Sequence, residues 1–371
     1  MKLTVFGAGN IGTFIAAYLS LQKANKVSLY TPNKNKISNI IKIDDIENRK
    51  TYYSNHISVN DDLQESLQGA DYVFLTYPSD LLFDKLQQMK DYLTAGTKIV
   101  VVPGTGGVEF HTHFLLQKEC MLVGLQRVPA ICRLKEYGRS VCVTGWKKQL
   151  YISSLPAKGQ QCVIDDLSKL FNIPVQSVGA YYNITLTPSN PILHTSRLYA
   201  LFRDYFEGKT YSTNPGFYED WDNYSSEILI QCDEELQKVY KTLSHNDNKV
   251  IPLLTHYESV DAESLTKKIR SIKAFEGIKS PMINKGSAYI PDLSSRYFLE
   301  DFSYGLCIIK GLALIYGLKT PTIDSSIQWM QRLYKKEYID LSANLGKDYV
   351  ETGMPQRFGI NSIDKIEQIY I

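Results

Sequence analysis

A glycine-rich run at residues 7–12, GAGNIG, constrains the fold of this 371-residue chain more than any other feature. A short strand-like segment precedes the run, and a helical pattern follows it directly. In such a strand–turn–helix unit Gly7 allows the tight turn, Gly9 lets backbone approach a pyrophosphate, and Gly12 lets helix and strand pack closely. The pyrophosphate then lies at the amino-terminal end of the helix, where unsatisfied N–H groups favour an anion. The run therefore predicts a dinucleotide-binding turn.

Short segments rich in β-branched and aromatic residues alternate with helix-length amphipathic segments through the first third of the chain. The segments predicted as strands include 3–6, 26–30, 72–77 and 98–102, and strand-like pieces continue to about residue 178. This alternation is typical of βαβ units on a parallel sheet. Farther along, apolar residues take helical spacing in segments 191–206, 225–242 and 301–316.

The length of the chain favours two domains over one hydrophobic core. The segment 187–191, TPSNP, interrupts the chain between the strand-rich half and the helical half. We therefore expect an α/β protein in which an amino-terminal Rossmann-type, doubly wound parallel sheet spans residues 1–185. An all-α carboxyl-terminal domain follows over residues 186–371.

Charge and hydropathy exclude several classes of protein. The net charge is only +2, so a nucleic-acid partner is not expected. No apolar run approaches the roughly 20 residues that a membrane span requires, and the first residues do not have the pattern of a signal peptide. The six cysteines are scattered without a CxxC pair, which favours free thiols in a reducing compartment. We therefore expect a cytoplasmic protein with small-molecule partners and without a membrane partner.

The segment after the second predicted strand bears on which dinucleotide binds. Residues 27–36, VSLYTPNKNK, contain no acidic residue to accept hydrogen bonds from the ribose hydroxyls of NAD. Thr31, Asn33 and Lys34 offer a hydroxyl, an amide and an ammonium group instead, which suit a 2′-phosphate. We therefore expect NADP to be preferred over NAD. The alternative, that Lys34 and Lys36 only begin a solvated segment, stays open.

Two later turns follow buried strands, at the sheet edge where open α/β sheets bind ligands. They are residues 76–79, TYPS, and residues 103–107, PGTGG, whose glycines could bring bare backbone close to the nicotinamide ribose or serve the turn itself. The residues predicted to contact the cofactor are Gly7, Gly9, Asn10, Ile11, Gly12, Thr31, Asn33, Lys34, Tyr77, Pro78 and Gly104.

Two runs in the second half carry residues suited to proton transfer. His194 lies in the first turn of a predicted helix just after the domain break. We expect a side chain at this position to face an interdomain cleft. Histidine can donate and accept protons near neutral pH. In the run 294–305, Arg296 can hold a carboxylate bidentately and Asp301 can orient a histidine. The alternatives stay open. His194 could be a structural histidine, and Glu300 and Asp301 could simply interact favourably with the dipole at the amino-terminal end of an ordinary helix. We expect no metal site.

Together these residues resemble the opine dehydrogenase family, the octopine and nopaline dehydrogenases and their metallophore-making relatives. The resemblance extends over nearly the whole chain. It includes the glycine loop, the stretch 126–129 (QRVP), the Asn-Pro-x-x-His run ending at His194 and the Arg-Tyr-x-x-Glu-Asp run ending at Asp301. It implies a Rossmann domain followed by a helical domain of the 6-phosphogluconate dehydrogenase type. It also implies an NAD(P)H-dependent enzyme that condenses an amino acid's amine with a 2-oxo acid and reduces the product.

The resemblance also implies roles for individual residues. The catalytic histidine corresponds to His194 and its aspartate partner to Asp301. Arg296 corresponds to an arginine that grips a substrate carboxylate, and Gln126 to a position on the substrate side. From its charge and location we infer that Arg127 holds a second carboxylate. Aromatic residues of the helical half, including Tyr199, either line a pocket for a bulky amine or pack in the core.

Two other functions remain open at this point. Ketopantoate reductases and glycerol-3-phosphate dehydrogenases have the same domain order but reduce ketones without an amine, using a catalytic lysine for which no motif is evident here. A non-catalytic NADP(H)-sensing regulator would need the glycine loop without a proton shuttle. The sequence leaves open which amine and oxo acid are used and whether the chain forms a homodimer.

Overall fold

The computed structural model describes residues 1–188, 190–244 and 247–370. Residue 189, part of the predicted boundary segment, lies outside the described residues. The chain divides into two compact units, residues 1–185 with the C-terminal residues from 369 onward, and residues 186–368. The assignment of a dinucleotide-binding role to residues 1–185 and a substrate role to the rest stays a prediction.

The first unit contains twelve strands among its described residues. They are β1 Lys2–Phe6, β2 Lys26–Tyr30, β3 Lys42–Asp45, β4 Lys50–Tyr53, β5 Ser58–Asn60, β6 Tyr72–Leu75, β7 Lys98–Val101, β8 Met121–Leu125, β9 Ala130–Glu136, β10 Ser140–Trp146, β11 Leu150–Leu155 and β12 Val175–Ser177. Eight of them form one sheet in the order β12-β11-β8-β7-β6-β1-β2-β5. The strands from β8 to β5 in this order are parallel, which confirms the expected Rossmann-type sheet.

Helices of the first unit connect these strands. They are α1 Asn10–Ser20, α2 Leu63–Leu67, α3 Ser79–Met89, α4 His113–Gln117, α5 Gln160–Phe171 and α6 Tyr182–Thr185. The central strands β6 and β7 are almost wholly buried and apolar, as strands with both faces covered must be.

Two features of this unit differ from the expected sheet. Strand β11 pairs antiparallel with β8, so β11 and its parallel neighbour β12 run against the other strands. Strands β4, β3, β10 and β9 form a second sheet, of which β9, β3 and β10 contact α1. A second layer over α1 explains why eight of its eleven residues are buried.

The second unit is mainly helical, as expected. Its helices are α7 Asn190–Phe202, α8 Asn223–Ser244, α9 Leu253–His256, α10 Ala262–Arg270, α11 Arg296–Asp301, α12 Cys307–Ile315, α13 Pro321–Leu333 and α14 Ile363–Tyr370, the last two residues of α14 being counted with the first unit. One short hairpin, β13 Met282–Asn284 with β14 Tyr289–Pro291, departs from an all-α domain. In the described ranges no helix is long and apolar enough to cross a membrane.

Candidate active site

The glycine loop joins β1 to α1 as the sequence predicts. Gly7 has a φ of +103°, a conformation that side chains other than glycine rarely adopt. A Cβ atom on Gly12 would lie 1.8 Å from the carbonyl oxygen of Gly7, so this position needs a glycine for the turn to close. At Gly9, by contrast, a Cβ atom would meet no atom of the described residues within 4 Å. The surface at Gly9 is thus open for a ligand to approach the backbone.

The start of α1 is held by the second sheet. The Asn10 side-chain oxygen accepts a hydrogen bond of 2.9 Å from the Leu134 amide of β9. Ile11 is half-buried beside it. Within the described ranges no side chain caps the amides at this end of α1, and its first turn carries no acidic residue. These amides therefore suit an anion such as a pyrophosphate.

The edge after β2 contains a carboxylate that the sequence analysis missed. Thr31 is buried, and Asn33 precedes a short 3₁₀ turn that starts at Lys34. The Lys34 ammonium lies 2.6 Å from a carboxylate oxygen of Asp61, which follows β5, the parallel neighbour of β2. The acidic pair at 61–62 is visible in the sequence, but only the pairing of β2 with β5 brings it here.

The turns after β6 and β7 lie at the same edge of the sheet. Tyr77 is half-buried, which raises the pKa of its hydroxyl, and Pro78 precedes the first turn of α3. A Cβ atom on Gly104 would lie 2.4 Å from the Cα atom of Gly124 on β8, so packing between neighbouring segments requires this glycine. The Tyr181 hydroxyl donates to the Gly104 carbonyl at 3.1 Å. Contact of Gly104 with the cofactor stays a prediction.

A group of cations follows β8. Gln126 and Arg127 are half-buried, and the Gln126 amide donates to the Tyr151 carbonyl at 2.9 Å. Burial and the nearby charge of Arg127 lower the pKa of Lys147, a residue that the sequence analysis missed. The proximity of two cations favours an anionic ligand, because their repulsion falls when a carboxylate binds between them.

In the second unit His194 and Asp301 form a hydrogen-bonded pair. His194 lies near the start of α7 and Asp301 ends α11, and Nδ1 of the histidine is 2.7 Å from a carboxylate oxygen of the aspartate. His194 is only 5% exposed. Burial raises the pKa of Asp301, while the charge of His194 opposes that rise. An ionised carboxylate can only accept, so the Nδ1–H group donates to it.

Aromatic side chains enclose the imidazole. The Tyr218 hydroxyl lies 2.9 Å from Nε2 of His194, and the Tyr297 ring stacks on the imidazole with 4.1 Å between ring centres. The Phe217 ring lies edge-on at 5.7 Å. With a proton on Nδ1, the neutral imidazole accepts at Nε2 from the Tyr218 hydroxyl. Both ring nitrogens are therefore bonded within this unit.

Arg197 anchors the segment that carries Tyr218. It lies three residues after His194 on α7 and is 1% exposed. Its guanidinium donates to the Phe217 carbonyl at 3.0 Å and to the Ser225 hydroxyl at 3.1 Å, and it lies 3.5 Å from a carboxylate oxygen of Asp222. Arg197 was not predicted from the sequence, although an arginine on an apolar helix was a signal for it.

The remaining predicted substrate residues have partners within the second unit. Arg296 is 69% exposed, and its Nε–H donates at 2.8 Å to Glu300, one turn later on α11. Tyr199 packs edge-on against Trp329 at 5.5 Å between ring centres. The substrate-binding roles of Arg296 and Tyr199 stay predictions.

Comparisons with known proteins place both halves of the chain. Residues 177–334 match a family profile described as NAD/NADP octopine/nopaline dehydrogenase, alpha-helical domain. Residues 2–126 match a profile for the N-terminus of NAD-dependent glycerol-3-phosphate dehydrogenase. Tauropine dehydrogenase of Arabella iricolor is 27% identical, with 98% of this chain and 99% of the relative aligned. Octopine dehydrogenase of Pecten maximus is 29% identical, with 83% and 81% aligned.

The structural comparison agrees with the sequence comparison. A structure of octopine dehydrogenase with NADH and L-arginine is similar, with a TM-score of 0.87 and 25% identity over 99% of this chain and 97% of that one. The second half of the chain matches the helical-domain profile of octopine/nopaline dehydrogenases, whereas only the first half matches a profile of glycerol-3-phosphate dehydrogenases. Residues 177–334 therefore carry the alpha-helical domain of octopine/nopaline dehydrogenases, and the chain is an NAD(P)-dependent oxidoreductase of the opine dehydrogenase type, acting on CH–NH bonds.

Proposed function

We propose that this enzyme joins the amine of an amino acid to a 2-oxo acid, with His194 and Asp301 as its proton-transfer pair. The hydrogen bond of 2.7 Å between these two buried side chains carries the assignment. Asp301 keeps a proton on Nδ1 and stabilises the imidazolium, as the aspartate does in related dyads. His194 can then give and take protons at Nε2.

The overall reaction needs both proton transfer and hydride transfer. The amine adds to the ketone carbonyl, and the resulting carbinolamine must lose its hydroxyl group as water, which requires a proton. The bound nicotinamide supplies the hydride that reduces the iminium. The protein's part is to supply the proton, hold the two substrates together and exclude water.

Both proposed substrates carry a carboxylate, and the chain offers a cation for each. Arg296 would hold one of them, exchanging its bond with Glu300 for a bond with the substrate. Arg127, with Gln126 beside it and Lys147 nearby, would hold the other. Tyr199 would contribute to the pocket for the amine.

For the dinucleotide, we propose a preference for NADP over NAD. The hydroxyl of Thr31, the amide of Asn33 and the ammonium of Lys34 would surround a 2′-phosphate at the end of β2. The preference depends on Lys34 leaving Asp61, since the two are paired at 2.6 Å. Gly7, Gly9, Asn10, Ile11 and Gly12 would hold the pyrophosphate of either cofactor.

Replacing His194 by alanine tests the catalytic assignment. We expect turnover to fall by about 100-fold or more while the affinity for NADPH and NADH is kept, because the histidine lies outside the unit that carries the glycine loop. Asp301→Asn should also lower turnover. Turnover of the alanine variant at the wild-type rate would refute the assignment.

Amine dependence tests the reaction type. NADPH or NADH oxidation with pyruvate, glyoxylate or 2-oxoglutarate should require an added amino acid. Oxidation without an amine would indicate a ketone reductase. Absence of turnover with every pair would favour a non-catalytic NADP(H) sensor.

Two further proposals concern the compartment and the oligomeric state of the protein. All six cysteines are free thiols, which supports a cytoplasmic location. We retain a homodimer as a proposal, which light scattering of the purified protein tests: a mass near twice 42.2 kDa is expected, and a mass near 42.2 kDa would refute it.

A further inference from the structure

The Tyr218 hydroxyl is hydrogen-bonded to the ring nitrogen of His194 that does not bond to Asp301. Asp301 bonds to Nδ1, and the Tyr218 oxygen lies 2.9 Å from Nε2. The Tyr297 ring covers one face of the imidazole. A proton leaving Nε2 in this arrangement therefore passes first to the Tyr218 hydroxyl.

We propose that Tyr218 is a catalytic residue, the third member of a proton relay from Asp301 through His194, whose hydroxyl hands the proton to the leaving oxygen of the carbinolamine. The inference rests on the role proposed above for His194. It adds the group that contacts the substrate at the dehydration step.

The step balances in atoms and charge. The C–O bond of the carbinolamine breaks, and its oxygen takes the hydroxyl proton of Tyr218 and leaves as water. The nitrogen lone pair forms the C=N bond of an iminium cation. At the same time the Nε2 proton of His194 moves to the Tyr218 oxygen, so the positive charge passes from imidazolium to iminium. Asp301 accepts the Nδ1–H bond throughout.

The surroundings of Tyr218 favour two concerted proton transfers. Burial raises the pKa of Tyr218 well above its ordinary value, and Tyr297, Tyr257 and Asp301 act in the same direction. A free phenolate is therefore unfavourable at this position, which favours an oxygen that receives one proton as it gives the other. The Tyr218 ring is held in place by stacking on Phe275, with 4.0 Å between ring centres.

The charged groups around the rest of the relay are also defined. Glu300 and Arg296, on the same helix as Asp301, have opposite effects on the pKa of Asp301, the glutamate raising it and the arginine lowering it. The pH dependence of turnover therefore reports the relay together with these two neighbours.

Tyr218→Phe tests the relay because it removes the hydroxyl and keeps the stacked ring. The matched control is Tyr240→Phe, which removes the hydroxyl of another buried tyrosine of the same unit. Tyr240 lies on α8, and its hydroxyl bonds to Asp247. Turnover is measured with the amino acid and 2-oxo acid pair that the wild type uses fastest. We expect kcat of Tyr218→Phe to fall by about 100-fold, with KM and cofactor affinity within about threefold, and Tyr240→Phe to keep its kcat.

The pH profile separates a relay from a structural role. In the wild type, kcat of the reductive reaction should fall as rising pH removes the imidazolium proton. In Tyr218→Phe the residual rate should be independent of pH through that range. A kcat within about threefold of wild type, or a retained pH dependence, would overturn the relay.

Two further measurements keep the outcome clear. Turnover lost in His194→Ala but kept in Tyr218→Phe would overturn the relay and leave the histidine assignment standing, whereas turnover kept in both would overturn both. In the wild type, rates in mixtures of H2O and D2O should show two protons in motion. A linear dependence, indicating one proton, would contradict the relay without any variant.

Discussion

At the scale of single residues, a residue next to a neighbouring strand determines whether the charge of Lys34 is available to a ligand. Its ammonium is bonded to Asp61, and both side chains are nearly half-exposed. Water screens an exposed ion pair of this kind, so it contributes little to the stability of a protein. A 2′-phosphate, with more charge than one carboxylate, can therefore take Lys34 from Asp61, although the remaining carboxylate repels it.

Asp61→Asn should strengthen the proposed NADP preference. We expect wild-type protein to bind NADPH more tightly than NADH, and the variant to increase that ratio by about threefold to tenfold, because it frees Lys34 and removes the repulsion. Fluorescence titration with both cofactors measures the ratio. Asp165→Asn, at an exposed position on α5, is the control. A ratio unchanged by Asp61→Asn would show that Lys34 does not meet the 2′-phosphate, and equal affinities in the wild type would refute the preference.

At the scale of elements, α7 and α11 determine the site of the second unit. Every residue from Ile192 to Leu198 is buried, so α7 holds both His194 and Arg197 rigidly. Directly after Asp301, the helix passes through a π-helical turn, Phe302–Leu306, before α12 begins. Such turns occur frequently at functional sites, because they shift the register of side chains along a helix. Here the turn follows the aspartate that meets His194.

Arg197→Lys should destabilise the second unit. The guanidinium reaches two carbonyls and a hydroxyl at once, and a lysine ammonium cannot reproduce that planar fork. Leaving a buried acceptor without a donor costs about 1–3 kcal/mol in the free energy of unfolding. Urea denaturation of the variant measures this loss. Arg332→Lys, an exposed position on α13, should change stability by less than about 0.5 kcal/mol, and an equally small effect at Arg197 would contradict the anchoring role.

At the scale of the whole molecule, a buried carboxyl ties distant parts of the chain together. Glu109 is 3% exposed and accepts hydrogen bonds from the Thr185 hydroxyl at 2.6 Å and from the Tyr370 hydroxyl at 3.0 Å, all within the first compact unit. Residue 370 is thus fixed to a strand-rich unit that begins at residue 1. Burial raises the pKa of Glu109 to about 7, and the two hydrogen bonds oppose the rise.

This carboxyl should make stability depend on pH. Its pKa is higher in the folded chain than the ordinary 4.5, so the folded state binds more protons between the two values. The contribution of Glu109 to the free energy of unfolding is therefore fully present below about pH 4.5. It decreases by about 3 kcal/mol as pH rises from there through about 7. Glu109→Gln should remove this fall. Urea denaturation at pH 5 and pH 8 measures it, and parallel pH dependence of both proteins would contradict the assignment.

The amino-acid sequence by itself determined the class of fold, a parallel sheet followed by helices, and it predicted the chemical types of the candidate site. The glycine loop is local, because strand, turn and helix are consecutive, and the resemblance to opine dehydrogenases added His194 and Asp301. The parallel part of the sheet followed from the alternation of short apolar and amphipathic segments. Each of these inferences depends on residues that are neighbours in the chain or on a motif with fixed spacing.

Only the tertiary structure decided which side chains meet. Asp61 reaches Lys34 because β2 pairs with β5, and Tyr218 reaches His194 because Arg197 holds the intervening segment. His194 and Asp301 are 107 residues apart, and no local pattern gives their distance of 2.7 Å. Helical spacing and hydropathy report which face of an element is buried, but the partner across that face is set by packing between elements.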